Sequence, residues 1–361
     1  MRKGNEMKEY KPKSTPASIN IRYALMSMGA EGTCAYVLFK TVANSVSPDK
    51  LAVLTIMFNI IAVMLRPLVC IFADRVNNKH TGVRLGAVLI ALGYYFPVSF
   101  GVSTKVVALA LGNCIFHSFA ASSILSRSNR RSFAISIFLG GSVMGLALYT
   151  FAPIICHILT ILMMACAIPD DIALNSEPMN DHGTTHVPLA VVIISAVLLL
   201  VSYSLIYYGF SSIEFSWAGF FKTDFLILAA IAAGRCVGGI VSDKLGRLFN
   251  VCAGAIGGSF IIVFCADNKK LSLIGLLLLS MPLCSIITAL TKRSPGNSGF
   301  IFALFCSVAY LGQELTFYLP MKRPIILTLI AVGAVLAVAA SETPDIVAFF
   351  KKLKDRKNEN A

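Results

Sequence analysis

Long apolar stretches broken by short polar turns dominate this chain. Twelve can be separated, at residues 22–40, 51–73, 82–102, 104–125, 132–149, 152–168, 187–209, 223–242, 249–266, 271–290, 299–319 and 324–340. Each is near the ~20 apolar residues a helix needs to cross a hydrocarbon core of ~30 Å. The pattern therefore predicts an all-α transmembrane protein of twelve helices. The fifth and sixth stretches are the least separated, since only Tyr149 to Pro153 divides them and Pro153 can equally kink one long helix. One span there would invert the topology after it.

The longest polar interval, residues 169–186, falls near the middle and carries acids but no Lys or Arg. It predicts a flexible linker between two six-helix bundles. The expected organisation is a tail at 1–21, a bundle at 22–168, a cytoplasmic linker at 169–186, a second bundle at 187–340 and an amphipathic cytoplasmic tail at 341–361.

The halves share a passage. Arg66-Pro-Leu-Val-Cys-Ile-Phe-Ala-Asp74-Arg75 is answered 169 positions later by Arg235-Cys-Val-Gly-Gly-Ile-Val-Ser-Asp243-Lys244. An internal repeat in a membrane chain marks a transporter built from two similar halves, here predicted as two pseudo-symmetric bundles.

Composition agrees with the pattern. The chain of 361 residues is 57% hydrophobic and 14% charged, with a mean hydropathy of +0.77, against roughly 25% charged in a soluble domain. With the N-terminus in the cytoplasm, 21 Lys and Arg fall on the cytoplasmic side and 8 outside, which obeys the positive-inside rule. The net charge of +13 thus reads as topology. It predicts a multi-pass protein of the cytoplasmic membrane with both termini inside. No soluble segment is long enough to gather a basic nucleic-acid face. The ten cysteines all lie within predicted helices and form no Cys-x-x-Cys pair, so they read as small apolar residues. The first 17 residues lack a cleavable apolar core, and no signal peptide is predicted. His182 and His186 have no further residue at zinc-site spacing, and no cofactor is expected.

Asp74-Arg75-Val-Asn-Asn-Lys79 and Asp243-Lys244-Leu-Gly-Arg247 fall where helices 2 and 8 leave the membrane. They resemble the loop signature of the major facilitator superfamily, an Asp-Arg/Lys-x-Gly-Arg/Lys turn between helices 2 and 3 that recurs between 8 and 9. The first copy departs from it, with Cys70 where the family has Gly and Asn77 in place of the Gly after the basic pair. The resemblance implies gating by Asp74, Arg75, Asp243, Lys244 and Arg247. Within helix 4, Gly112-Asn113-Cys-Ile-Phe116-His117 is similar to a Gly-Asn-x-x-Phe-His stretch of efflux transporters of the fosmidomycin-resistance branch.

Ionisable groups inside a membrane cost roughly 2.5–3.5 kcal/mol on insertion scales and so are functional candidates. At ~1.5 Å per residue, Arg66 and Arg235 lie about 12 Å from their boundary aspartates. By the same rise Glu31 lies about 13 Å beyond Arg22, and His117 about 15 Å before Arg127. Four groups on four helices thus share one level. Arg66 and Arg235 can grip an anion from both sides, or else reach the headgroups or pair with Asp74 and Asp243. Glu31 can carry a coupled proton or form a permanent pair with Arg66. Asn113 and His117 can line the cavity, or His117 can be structural. Tyr207, with Tyr203 and Tyr208, can bond a substrate or mark packing, and Gln313 with Glu314 can line an outer cavity. Phe215, Trp217, Phe220 and Phe221 suit a headgroup anchor.

No nucleotide-binding loop is present. The reading is a secondary active transporter of a small, anionic solute working by alternating access and coupled to protons, monomeric in the lipid bilayer. The alternative is a transport-inactive membrane scaffold or receptor. An intramembrane enzyme finds no nucleophile or metal cluster to support it.

Overall fold

A computed structural model describes residues 17–127, 132–150, 153–168, 189–219, 221–292, 294–339 and 342. Among the described residues there is helix but no strand. The expected linker, most of both tails, and Phe220 lie outside the described residues.

The helices, in order, are α1 Ala17–Tyr36, α2 Pro48–Arg75, α3 Lys79–Tyr95, α4 Val102–Arg127, α5 Ser132–Leu148 and α6 Pro153–Ala167. After them come α7 Leu189–Ser212, α8 Phe221–Leu245, α9 Arg247–Cys265, α10 Lys269–Thr291, α11 Ser298–Glu314 and α12 Arg323–Ala339. Seven described helices are long and apolar enough to cross a membrane, and α5, α6 and α12 are shorter apolar helices. The protein is therefore a multi-pass membrane protein.

One boundary differs from the hydropathy reading. Helix α1 begins at Ala17, so Arg22 lies inside it, because Ser18 and Asn20 are compatible with a helix that protrudes from the apolar layer. Around Pro153 the chain forms two helices: α5 stops at Leu148 and α6 opens with the proline in its first turn, where a missing N–H breaks no helical bond.

Packing within each half runs through small residues. In α5, Gly141 and Gly145 lie against the Ala24 and Met28 carbonyls of α1, where an added Cβ would come within 2.3 and 2.2 Å. In α8, Gly234 and Gly238 meet the Leu277 and Met281 carbonyls of α10 in the same way, at 2.0 and 2.4 Å. Only glycine allows such backbone approach in lipid. The opposite faces of the same two helices meet each other, with Gly140 against Cys236 and Gly239 against Ser136. A second contact between the halves joins the Arg66–Arg75 end of α2 to α11.

The segment after α7 is not a free rim. Ile213 and Phe215 are buried, and the Trp217 indole donates to the Ala266 carbonyl at 3.0 Å. Satisfying the indole N–H on the end of α9 turns the aromatic face inward.

Candidate functional site

The repeat places Asp74 and Asp243 at the ends of α2 and α8, and each carboxylate reaches into the other half. Asp74 accepts from the Gly299 N–H through Oδ1 and the Phe300 N–H through Oδ2, both at 2.9 Å, and from Ser122 Oγ at 2.6 Å. Asp243 accepts from the Ser132 N–H at 2.7 Å and the Phe133 N–H at 3.0 Å. These donors open α11 and α5, where the first N–H groups of a helix have no intrahelical acceptor and its dipole favours negative charge. A Cβ on Gly299 would sit 2.6 Å from Asp74 Oδ1, so glycine is needed there. Buried Cys70 leaves the Asp74 cap intact. The other three residues of the two turns behave differently: Arg75 and Lys244 are exposed, while Arg247 pairs with Glu342 at 2.8 Å.

Further into the protein, Ser132 Oγ meets Ser242 Oγ at 3.0 Å and Thr288 Oγ1 at 2.8 Å. The Phe138 ring of α5 faces Phe302 of α11 at 6.3 Å and His117 at 5.4 Å.

In the N-terminal half the charges form one connected group. Arg66 donates from Nη2 to Asn113 Oδ1 at 3.0 Å and from Nε to the Ala62 carbonyl at 3.1 Å. Asn113 in turn donates to Glu31 Oε1 at 3.3 Å. His117, one helical turn after Asn113 on α4, brings Nε2 to 2.8 Å from the same Glu31 oxygen, an ion-pair distance. The local backbone of α2 prepares Arg66. A π-helical stretch, Ile60–Met64, precedes it, and Pro67 follows with no N–H to give the Val63 carbonyl. Ser307 Oγ from α11 donates to that carbonyl instead, at 3.3 Å.

In the C-terminal half Arg235 donates from Nη2 to Tyr207 Oη at 2.7 Å and from Nη1 to the Leu139 carbonyl of α5 at 3.3 Å. Its guanidinium carbon lies 5.7 Å from the Tyr207 ring centre. Arg235 Nε is buried without a hydrogen-bond acceptor, and among the described residues no carboxylate lies at ion-pair distance from it. Tyr203 is buried between Tyr207, at 5.3 Å, and Phe305, at 4.9 Å. Cys306 of α11 lies close enough to both guanidinium groups to feel their charge.

The structure thus gathers Glu31, Arg66, Asn113 and His117 directly, and places Arg235 with Tyr207 across from them. Tyr310 and Glu314 lie farther along α11, with Tyr310 beside Asn59 of α2. Sequence reasoning missed Phe138, Phe302 and Cys306, whose types are ordinary in apolar helices. It also missed what the aspartates hold, because backbone N–H groups are common to every residue; Ser132 and Ser298, at helix starts, were the available signal.

No protein-family model and no curated protein sequence matches this chain. Solved structures do. The E. coli fucose:proton symporter superposes with a TM-score of 0.61 at 10% identity, covering 90% of this chain and 97% of its own. A bacterial homologue of the iron transporter ferroportin, in an outward-facing state, gives 0.55 at 13% identity, covering 91% and 99%. The human organic anion transporter TETRAN gives 0.52 at 14% identity, covering 93% and 99%. Likeness at these identities and this coverage is likeness of fold: the chain has the fold of the major facilitator superfamily.

Proposed function

We propose that the protein is a secondary active transporter moving a small anionic solute across the cytoplasmic membrane, coupled to protons. In this reading the twelve helical segments are twelve crossings in two six-helix bundles, 22–168 and 187–340, with the linker 169–186 and both termini in the cytoplasm and the protein monomeric among its lipids. The observation that carries it is the placement of a buried charged group behind two aspartate caps that cross between the halves. Caps of this kind hold one face closed and break when the bundles rock, which is what alternating access requires. Glu31 and His117 would hold the proton, Arg66, Arg235, Asn113, His117 and Tyr207 the substrate, and Asp74 and Asp243 the gate, with Arg75, Lys244 and Arg247 at its edge.

The solved transporters of similar fold support transport. The likeness of Gly112 to His117 to the fosmidomycin-resistance branch keeps export in view, since Asn113 and His117 both belong to the charged group. The altered first turn would favour the scaffold alternative, and the intact Asp74 cap weighs against it.

The test reads distances between labels on the cytoplasmic ends of the two bundles. The labels are introduced as non-cysteine amino acids because ten native thiols would compete. Two distance populations whose ratio follows pH, with the pH response lost in Glu31→Gln, are expected. A single distance at every pH would overturn alternating access.

A further inference from the structure

We infer that the site takes one singly charged anion with a planar apolar body, seated on Arg235 and Tyr207, while Arg66 is a positioning residue for Glu31. This rests on the transporter reading, narrows its substrate class and takes Arg66 out of the substrate contacts.

A charge count carries it. With the coupled proton absent from Glu31 and His117, Arg66 and Glu31, joined through Asn113, cancel. Arg235 adds one positive charge with only 5% of its surface exposed. Among the described residues the groups facing it are Tyr203 and Tyr207 from α7, the Leu139 carbonyl from α5, Cys236 of its own helix, Cys284 from α10 and Cys306 from α11; none of these is acidic. A guanidinium cannot relieve burial by losing its proton, and a buried unpaired ion is strongly unfavourable. One negative charge brings the site to neutrality; two would overshoot.

The geometry agrees with the count. Arg235 Nε is buried and lacks an acceptor. Tyr207 Oη already accepts from Arg235, so its own proton is available to a second acceptor. An anion placed there gains two charge-assisted or polar donors. The rings of Tyr203 and Phe305, 4.9 Å apart, form an apolar flank suited to a planar body.

The experiment is a thermal-unfolding assay on the full chain in detergent, with four probes: benzoate, its uncharged isostere benzamide, the dianion phthalate, and chloride. Binding to the folded state raises the melting temperature. Benzoate should raise it by several degrees, phthalate by less, and benzamide and chloride not at all. Arg235→Gln should abolish the benzoate response while leaving the unliganded melting temperature equal or higher, because it removes an uncompensated charge. Arg66→Gln should lower that temperature, because it strands Glu31. Arg235→Lys, which keeps the charge but loses the fork, should bind benzoate about tenfold more weakly. The inference is overturned if Arg235→Gln destabilises as much as Arg66→Gln, if benzamide or phthalate matches benzoate, or if chloride alone acts. Failure here with pH-dependent bundle distances intact would remove the substrate class and leave the transporter reading standing.

Discussion

Arg66 and Arg235 hold the same place in the two copies of the repeat, eight residues before an aspartate that caps a helix of the other half. Their immediate surroundings are unlike. Arg66 belongs to a chain of polar contacts ending on a carboxylate, whereas Arg235 meets a phenol, a carbonyl and thiols. Pseudo-symmetry of the backbone therefore does not carry over to the electrostatics. The half that balances its own charge suits a proton switch, because protonating Glu31 or His117 changes the balance locally. The half that does not suits a ligand that supplies the missing charge.

The largest expected effect breaks the balanced half. Glu31→Ala removes the acid facing Arg66 and should destabilise the protein by about 3–5 kcal/mol, as removing one partner of a buried pair does, read by denaturant or thermal unfolding. Glu31→Gln should cost less, since an amide still accepts from Asn113. Equal stability of wild type and Glu31→Ala would mean that Arg66 is neutralised by another group.

The second test compares the two caps. Asp74→Asn should shift the bundle-distance populations toward cytoplasmic opening by about 1.5–3 kcal/mol, the range for hydrogen bonds to a charged group. Asp243→Asn should shift them by less, because each aspartate accepts two bonds across the halves but Asp243 is exposed to water while Asp74 is half-buried. The reverse order in label-distance measurements would make the α8 turn the stronger latch.

A smaller effect sharpens the unbalanced half. Tyr207→Phe deletes one of the two acceptors of Arg235 and should cost about 1 kcal/mol in unfolding measurements, and it should also weaken benzoate binding. The smallest concerns the altered first turn. Cys70→Gly restores the family residue but opens space at a fully buried position and adds about 0.5–1 kcal/mol of helix cost. It should leave the distance populations unchanged while lowering the melting temperature slightly.

Much of this was legible in the residues. The apolar runs anticipated 51–73 where α2 spans Pro48–Arg75, and 104–125 where α4 spans Val102–Arg127. Apolar length is set by the thickness of the bilayer and is written directly in the chain. The common depth of Glu31, Arg66 and His117 followed from rise per residue; Glu31 meets His117 directly and Arg66 only through Asn113. The partner of Arg66 did not follow: neither Asp74 nor Glu31 takes its donors, but Asn113 does. Tyr207 was chosen from three tyrosines on α7, but its bond to Arg235 came only from packing; Tyr208 instead spends its hydroxyl on the Leu319 carbonyl and the Met321 N–H.

What the chain determined by itself was its class: apolar helices, a duplicated turn, and ionisable groups at one depth, all consequences of local periodicity and spacing. What only the tertiary structure decided was which of those groups touch, which helix start each aspartate caps across a separation of 225 or 111 residues, and that one arginine is balanced and the other is not. Rise per residue fixes height along a helix axis, whereas the direction a side chain faces depends on how the neighbouring helices are rotated and how closely they approach, and that is settled by packing between residues far apart in the chain.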